Sequence, residues 1–271
     1  MSSVPMGHFV RRLAAENEPS DGPADGYMAT NFSYSGTELE VLAKARNYYR
    51  WILRYFRPHL SGRVAEVGAG LGSFSEYLVS VGAVQSLYAV EPADNLIASL
   101  NARFHNDPKV IPVHAYFESQ DQATGLDAVV VVNVIEHIED DRAFLSAAFD
   151  RLKEGGRVLL FVPALPWLYG TLDRAFDHYR RYTQRSLRER LEFAGFHVAT
   201  IRYMNMLGIV SWYLAGRVVK KRSVRPIDLM IYDRIFVPWI SRIEQLIEPP
   251  IGQSLLVIAH KKLATENPPG R

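Results

Sequence analysis

Between residues 63 and 162, short apolar runs alternate with stretches of helical periodicity, and this alternation constrains the chain more than any other feature. The runs at 63–67, 87–90, 110–113, 127–132 and 158–162 have the length and branched content of strands. Between them, 73–81, 94–104 and 139–152 place apolar residues three and four apart, as a helix resting on a sheet requires. Strands joined through helices imply a parallel sheet with helices on both faces. The run Asp127-Ala-Val-Val-Val-Val is nearly all valine, which fits a strand buried on both sides.

The flanks extend this pattern. Residues 1–36 are polar and carry Pro19, Gly22, Pro23 and Gly26, so a leader is expected there, and 263–271 reads as a tail. Leu39, Leu42, Ala43, Tyr49, Ile52 and Leu53 predict one helix over 37–56, stopped by Pro58 and Gly62. Beyond residue 162 come a helix at 183–193, a strand at 197–203, a helical insertion at 206–248 and a last strand at 253–260. A final strand returning after such an insertion makes the sheet mixed. The expected fold is α/β, with a seven-stranded mixed sheet over 37–262 and an N-terminal lid.

Composition narrows the chemistry. The 271 residues contain no cysteine, which excludes disulfides, thiolate metal sites and cysteine nucleophiles. A net charge of +2 is too small for a general nucleic-acid binder. No apolar signal core lies in 1–26, and Asn205 and Arg217 interrupt the longest apolar stretch, well short of the ~20 residues that span a bilayer. No transmembrane segment and a cytoplasmic location are therefore expected.

The first run ends in Glu66-Val-Gly68-Ala69-Gly70-Leu-Gly72-Ser73. Glycines where a strand meets a helix let a ligand approach the backbone and the outward-facing N–H groups. Glu91, closing the next strand and followed by Pro92, is placed to accept ribose hydroxyls. A dinucleotide loop would have glycine where Ser73 stands, and would not place Glu66 two residues before its first glycine. A carboxylate there suits a ligand with a cationic end, such as an amino-acid ammonium.

With EVGAGLGSF at 66–74, VEP at 90–92, LDAVVVVNVIEHIED at 126–140, LKEGGRVLLFVP at 152–163 and LRERLEFAGF at 187–196, the chain resembles the class I S-adenosylmethionine-dependent methyltransferases over about 48–262. The resemblance implies a Rossmann-like seven-stranded sheet with one antiparallel strand and the cofactor lying over its carboxyl edge, leaving as S-adenosylhomocysteine. It implies that Glu66 and the glycine loop meet the methionine part and that Glu91 holds the ribose. Ala115, Tyr116 and Phe117 would flank the adenine, although the Asp or Asn usual there is absent and Glu118 is the nearest acid. The backbone at Asn133 and Val134 would face the methionine end, and Tyr49 would join the cofactor site. No metal is called for.

His137 follows the valine strand, where a side chain with a pKa near 6.5 suits a general base; it and Glu136 would otherwise cap the next helix. His178 and Asp173 are further catalytic candidates, or an ion pair with Arg180 or Arg181. Tyr27, Trp167, Tyr169, Tyr179 and Tyr182 are candidate walls for a small aromatic or hydrophobic, natural-product-like acceptor. A lipid- or sugar-linked metabolite is the alternative acceptor. A nicotinamide-dependent oxidoreductase and a non-catalytic binding relative are alternatives of a different class. Arg217, Lys220, Lys221, Arg222 and Arg225 form a solvated helix end, a weak membrane-surface contact or a site for an acceptor phosphate, and the insertion would cover the acceptor or make a homodimer contact.

Overall fold

The computed structural model describes residues 32–34 and 38–262, so Tyr27, most of the expected lid and the tail at 263–271 lie outside the described residues. Seven strands form one sheet: β1 (Gly62–Val67), β2 (Val84–Val90), β3 (Val110–Val113), β4 (Leu126–Val132), β5 (Leu152–Pro163), β6 (Phe196–Met204) and β7 (Ser254–Lys261). Their order is β3-β2-β1-β4-β5-β7-β6, and β7 runs antiparallel to both β5 and β6. The chain winds outward from β1 to β3 and then returns to place β4 beside β1. That reversal opens a crevice at the carboxyl ends of β1 and β4, where ligands bind in sheets of this kind.

The valine strand explains how the layers are held. Ala128, Val129, Val130 and Val131 are all fully buried. Successive side chains of a strand point to opposite faces. Val129 and Val131 pack with Phe144, Leu145, Leu187 and Leu191, while Ala128 and Val130 pack with Ile52, Phe56, Leu78 and Leu100. Each such valine contributes about 1.5–3 kcal/mol by leaving water, so β4 pins both layers at once.

The predicted helix over 37–56 is broken. Residues Glu38–Leu42 form α1 and Arg46–Phe56 form α2, separated by a turn. The cause lies far along the chain. The Asp233 carboxylate accepts the backbone N–H groups of Asn47 at 3.2 Å and Tyr48 at 2.9 Å, and so caps the start of α2. After β1, α3 (Ser75–Val79) and α4 (Asp94–Phe104) flank β2, and α5 (Asp141–Arg151) starts where Asp140 accepts the N–H of Ala143. Strand β5 begins earlier than the pattern predicts, because register jumps from Leu126↔Leu152 to Ala128↔Arg157 and residues 153–156 bulge out between.

Two further helices, α6 (Thr171–Ala175) and α7 (Gln184–Phe193), precede β6. The insertion is helical as expected: α8 (Met206–Tyr213) runs into a π-helical turn, and α9 (Pro226–Ile231) runs through a second π-helical turn into α10 (Val237–Leu246). No described helix is long and apolar enough to cross a membrane.

Candidate active site

The crevice holds a cavity of about 1340 Å³. Its floor is the glycine loop. Gly68 and Ala69 donate their N–H groups to Val90 O at 2.9 and 3.0 Å, tying the loop to the end of β2. Gly68 has φ +69°, and a Cβ there would come within 2.6 Å of Val134 Cγ2. A side chain at Gly68 would therefore press on the opposite wall as well as strain the backbone. Gly70 donates to Glu91 Oε2 at 2.7 Å, and Ala93 to Glu91 Oε1 at 2.9 Å. Burial pushes the Glu91 carboxyl up, while those two amides hold it down.

Glu66 stands beneath the loop with its carboxylate accepting from the Ser75 hydroxyl. Burial, with a smaller push from Glu91, raises it to about 8. It is therefore mostly protonated at neutral pH when no cation faces it. Tyr49, Gly68, Ala69, Gly70, Glu91, Pro92, Tyr116, Phe117, Asn133, Val134 and His137 also line the cavity. Gly72 does not: a Cβ there would meet Phe104 at 2.5 Å and Leu100 at 2.9 Å, so its missing side chain admits α4. Asn133 adopts φ +52° and donates its N–H to Phe161 O at 2.8 Å, turning the chain across the crevice mouth. A left-handed residue at this point costs about 1 kcal/mol and is typical of a site that fixes the backbone.

Several wall residues carry no motif. Phe32, Tyr34, Leu39, Leu42, Tyr48 and Ile138 all border the cavity. Phe32 O accepts the N–H of Asp94 at 2.7 Å, and its ring lies 6.4 Å from Tyr116. Tyr34 exchanges backbone hydrogen bonds with the Asn95 side chain at 2.9 and 2.8 Å. The hydroxyl of Tyr48 pairs with the side chains of Ser254 and Asn133. The aromatic clustering at 32–34 and 48–49 was the only trace of this wall in the sequence.

Behind His137 lies a buried polar cluster. His137 and His178 meet edge to face with ring centroids 4.7 Å apart. Burial, then the charge of His178, pushes His137 well below its ordinary value, while backbone carbonyls of Phe176 and Asp177 hold its ring. Both Glu136 carboxylate oxygens are enclosed with no hydrogen-bond partner on another residue, and burial lifts that group to about 7. Glu136, His137 and His178 each bring one ligand-type atom within 4.8 Å of the others.

Asp173 sits deeper, fully buried. It accepts from Arg181 Nε at 2.6 Å, Gly170 N at 2.8 Å and Trp212 Nε1 at 3.1 Å, and pairs with His178 Nδ1 at 3.1 Å. Burial raises it, but the His178 hydrogen bond and the Arg181 charge win and hold it at about 2. Asp173 and His178 thus stand behind the cavity wall rather than on it. Tyr182 is turned into the core, donating to Asp141 Oδ2 at 2.9 Å, and Tyr169 donates to His178 O at 2.7 Å. Tyr179 and Trp167 are exposed and do not line the crevice, nor does any residue of 206–248.

A family model described as a methyltransferase domain matches residues 22–201, well over half of the chain. This chain belongs to the class I, S-adenosylmethionine-dependent methyltransferase family. Among curated proteins, the methyltransferase is similar to the ubiquinone biosynthesis O-methyltransferases of Schizosaccharomyces pombe (28% identical over 102 residues, 36% of either chain) and Xanthomonas axonopodis (32% over 103 residues). In the latter the match takes in 36% of this methyltransferase and 41% of the relative. The chain thus spans about two-fifths or less of the length of those curated relatives. Among solved structures, phosphoethanolamine N-methyltransferase 2 of Haemonchus contortus, in complex with S-adenosyl-L-methionine, shares the fold. Its TM-score is 0.56 at 19% identity, over 84% of this chain and 58% of that one. An S-adenosylmethionine-dependent methyltransferase of Mesorhizobium loti has a TM-score of 0.53 at 16% identity, over 77% and 95%.

Proposed function

We propose that the methyltransferase transfers a methyl group to a hydroxyl of a small, hydrophobic, ring-bearing acceptor. One observation carries this reading: a neutral His137 on the wall of a cavity of about 1340 Å³. Sites for one drug-sized ligand commonly enclose about 300–1,000 Å³, so the crevice has room for a donor and an acceptor together. Its upper wall of Phe32, Tyr34, Leu39, Leu42 and Ile138 suits an apolar ring.

Glu66 would face the donor's ammonium, Glu91 its ribose, and Tyr116 and Phe117 its adenine, with Gly68 and Gly70 leaving space for the chain between. S-adenosylmethionine, when bound, supplies a methyl on a sulfonium and needs no metal to leave as S-adenosylhomocysteine. His137 takes the hydroxyl proton as the acceptor oxygen gains the methyl. His178 packs edge-on against the ring and is itself held by Asp173, while Glu136 lies beside both rings. Positioning and exclusion of water supply the rest of the rate. Phe32 and Tyr34, seated on α4 and bordering the cavity, would shield the donor from water. Oxygen as the nucleophile is supported by the curated relatives, which are named O-methyltransferases.

Transfer of a labelled methyl to a panel of catechols, phenols and amines tests this. Phenolic products that disappear in His137→Ala, with S-adenosylhomocysteine binding retained, are expected. Amine products alone, or unchanged turnover in His137→Ala, would overturn it.

A further inference from the structure

The insertion is built inside out. Its acids Asp233 and Glu244 are buried, while many of its large hydrophobic side chains face outward. Glu244 accepts the N–H groups of Asn205 at 2.9 Å and Met206 at 2.8 Å, as Asp233 does those of α2. These two carboxylates bolt the insertion to the body. Of the large hydrophobic side chains exposed among the described residues, all but Tyr116, Trp167, Tyr179 and Phe193 lie between residues 206 and 247.

They are also ordered. Ile227, Ile231, Ile235, Trp239, Ile243 and Ile247 recur every four residues and every one is exposed, Trp239 at 68% and Ile247 at 69%. In a plain α-helix such a stripe would drift around the axis. The π-helical turn at Tyr232–Phe236, with its wider winding, turns it back. The opposite side of α10, with Val237 and Ile240, packs in the core. A contiguous apolar stripe of this extent marks an interaction surface.

Charge identifies the partner. The turn linking the two helical runs carries Arg217, Lys220, Lys221, Arg222 and Arg225, and α10 and the turn before it add Arg242 and Arg234. Against them, among the described residues of the insertion, stand only two acids that are not buried: Glu248 and Asp228, the latter already paired with Lys221 and Arg225. A second copy of the chain would bring this cationic face against its own kind in a two-fold contact. A surface of anionic lipid matches both features, taking isoleucine and tryptophan into the interfacial layer and lysine and arginine at the headgroups.

We propose that the insertion docks the methyltransferase flat on an anionic bilayer surface through the 227–247 stripe and the 217–225 basic turn. The inference does not depend on the acceptor.

Co-sedimentation of the full chain with vesicles tests it, using phosphatidylcholine alone and phosphatidylcholine mixed with phosphatidylglycerol. Binding at least about tenfold stronger to the mixed vesicles, weakening with added salt, is expected. The pair Trp239→Glu with Ile243→Glu should lower it about tenfold or more, as should Lys220→Glu with Arg222→Glu. S-adenosylhomocysteine titration of every variant reports an intact fold. Failure of that titration in the unmodified chain would strike the proposed function and leave docking standing. Equal, weak binding to both vesicles would overturn the proposal. So would a dimer in analytical ultracentrifugation that Trp239→Glu dissociates, with no vesicle binding.

Discussion

The backbone N–H of Gly70 points at Glu91 Oε2 over 2.7 Å, so the acid that ends β2 also shapes the glycine loop at the end of β1. Glu91→Ala therefore removes a brace for the loop together with the ribose acceptor proposed above. Donor affinity should fall by about 1–3 kcal/mol, the range for hydrogen bonds to a charged group, as read by calorimetric titration with S-adenosylhomocysteine. Glu91→Gln, which keeps an acceptor oxygen for Gly70, should lose less. Equal losses would mean that the brace contributes nothing.

If Glu66 faces the donor's ammonium as proposed, donor binding should depend on pH. Held at about 8 by burial, the carboxyl must lose its proton to face an ammonium. Binding then releases a proton at neutral pH. Affinity should rise up to about tenfold per pH unit until about 8 and level off above it. Titrations in two buffers of different ionisation enthalpy measure the proton directly. Glu66→Gln should abolish the slope.

Asp173 is expected to show itself in stability before activity. Its removal strands the buried Arg181 guanidinium, 2.6 Å away. Asp173→Ala should cost about 3–5 kcal/mol, the usual penalty for breaking a buried pair from one side, measured by urea unfolding. A change below about 1 kcal/mol would show that the pair is not desolvated in solution.

The cluster of Glu136, His137 and His178 offers a test by metal removal. Burial lifts Glu136 to about 7, so a proton can neutralise it without a cation. Dialysis against a chelator should leave methyl transfer unchanged. Loss of activity restored by one divalent ion would reassign these three residues as ligands.

Deleting residues 1–36 takes away Phe32 and Tyr34, which rest on α4 and border the cavity. The truncated chain should unfold at the same urea concentration but lose most of its kcat. Unchanged turnover would remove the lid from the mechanism.

The sheet and the glycine-loop wall of the crevice were legible in the sequence for a common reason. Strand and loop signals there are local: a valine run, a glycine cluster and an acid at a strand end each act within a few residues. What was not legible depends on distant partners. The break before α2 is made by Asp233, whose carboxylate no pattern at 43–45 could announce. Asp173 and His178 read as catalytic candidates because spacing cannot distinguish a side chain on a cavity wall from one behind it. Gly72 fitted a ligand loop by position, whereas the side chains it accommodates come from α4. The outward stripe of the insertion hid behind apolar periodicity, which looks alike for a buried face and an exposed one.

The Asp233 cap has a consequence for how this fold can vary. Helix α2 carries Tyr48 and Tyr49 on the cavity wall, and its first turn is finished by a residue that the chain reaches 185 positions after Tyr48. Trimming 206–248 to a short connection would leave β7 a path into the sheet but leave the start of α2 unfinished. The insertion is thus not an appendage that descendants of this sequence could shed. A shortened version would need a new acceptor at the start of α2, supplied by local sequence, before the catalytic crevice could be rebuilt.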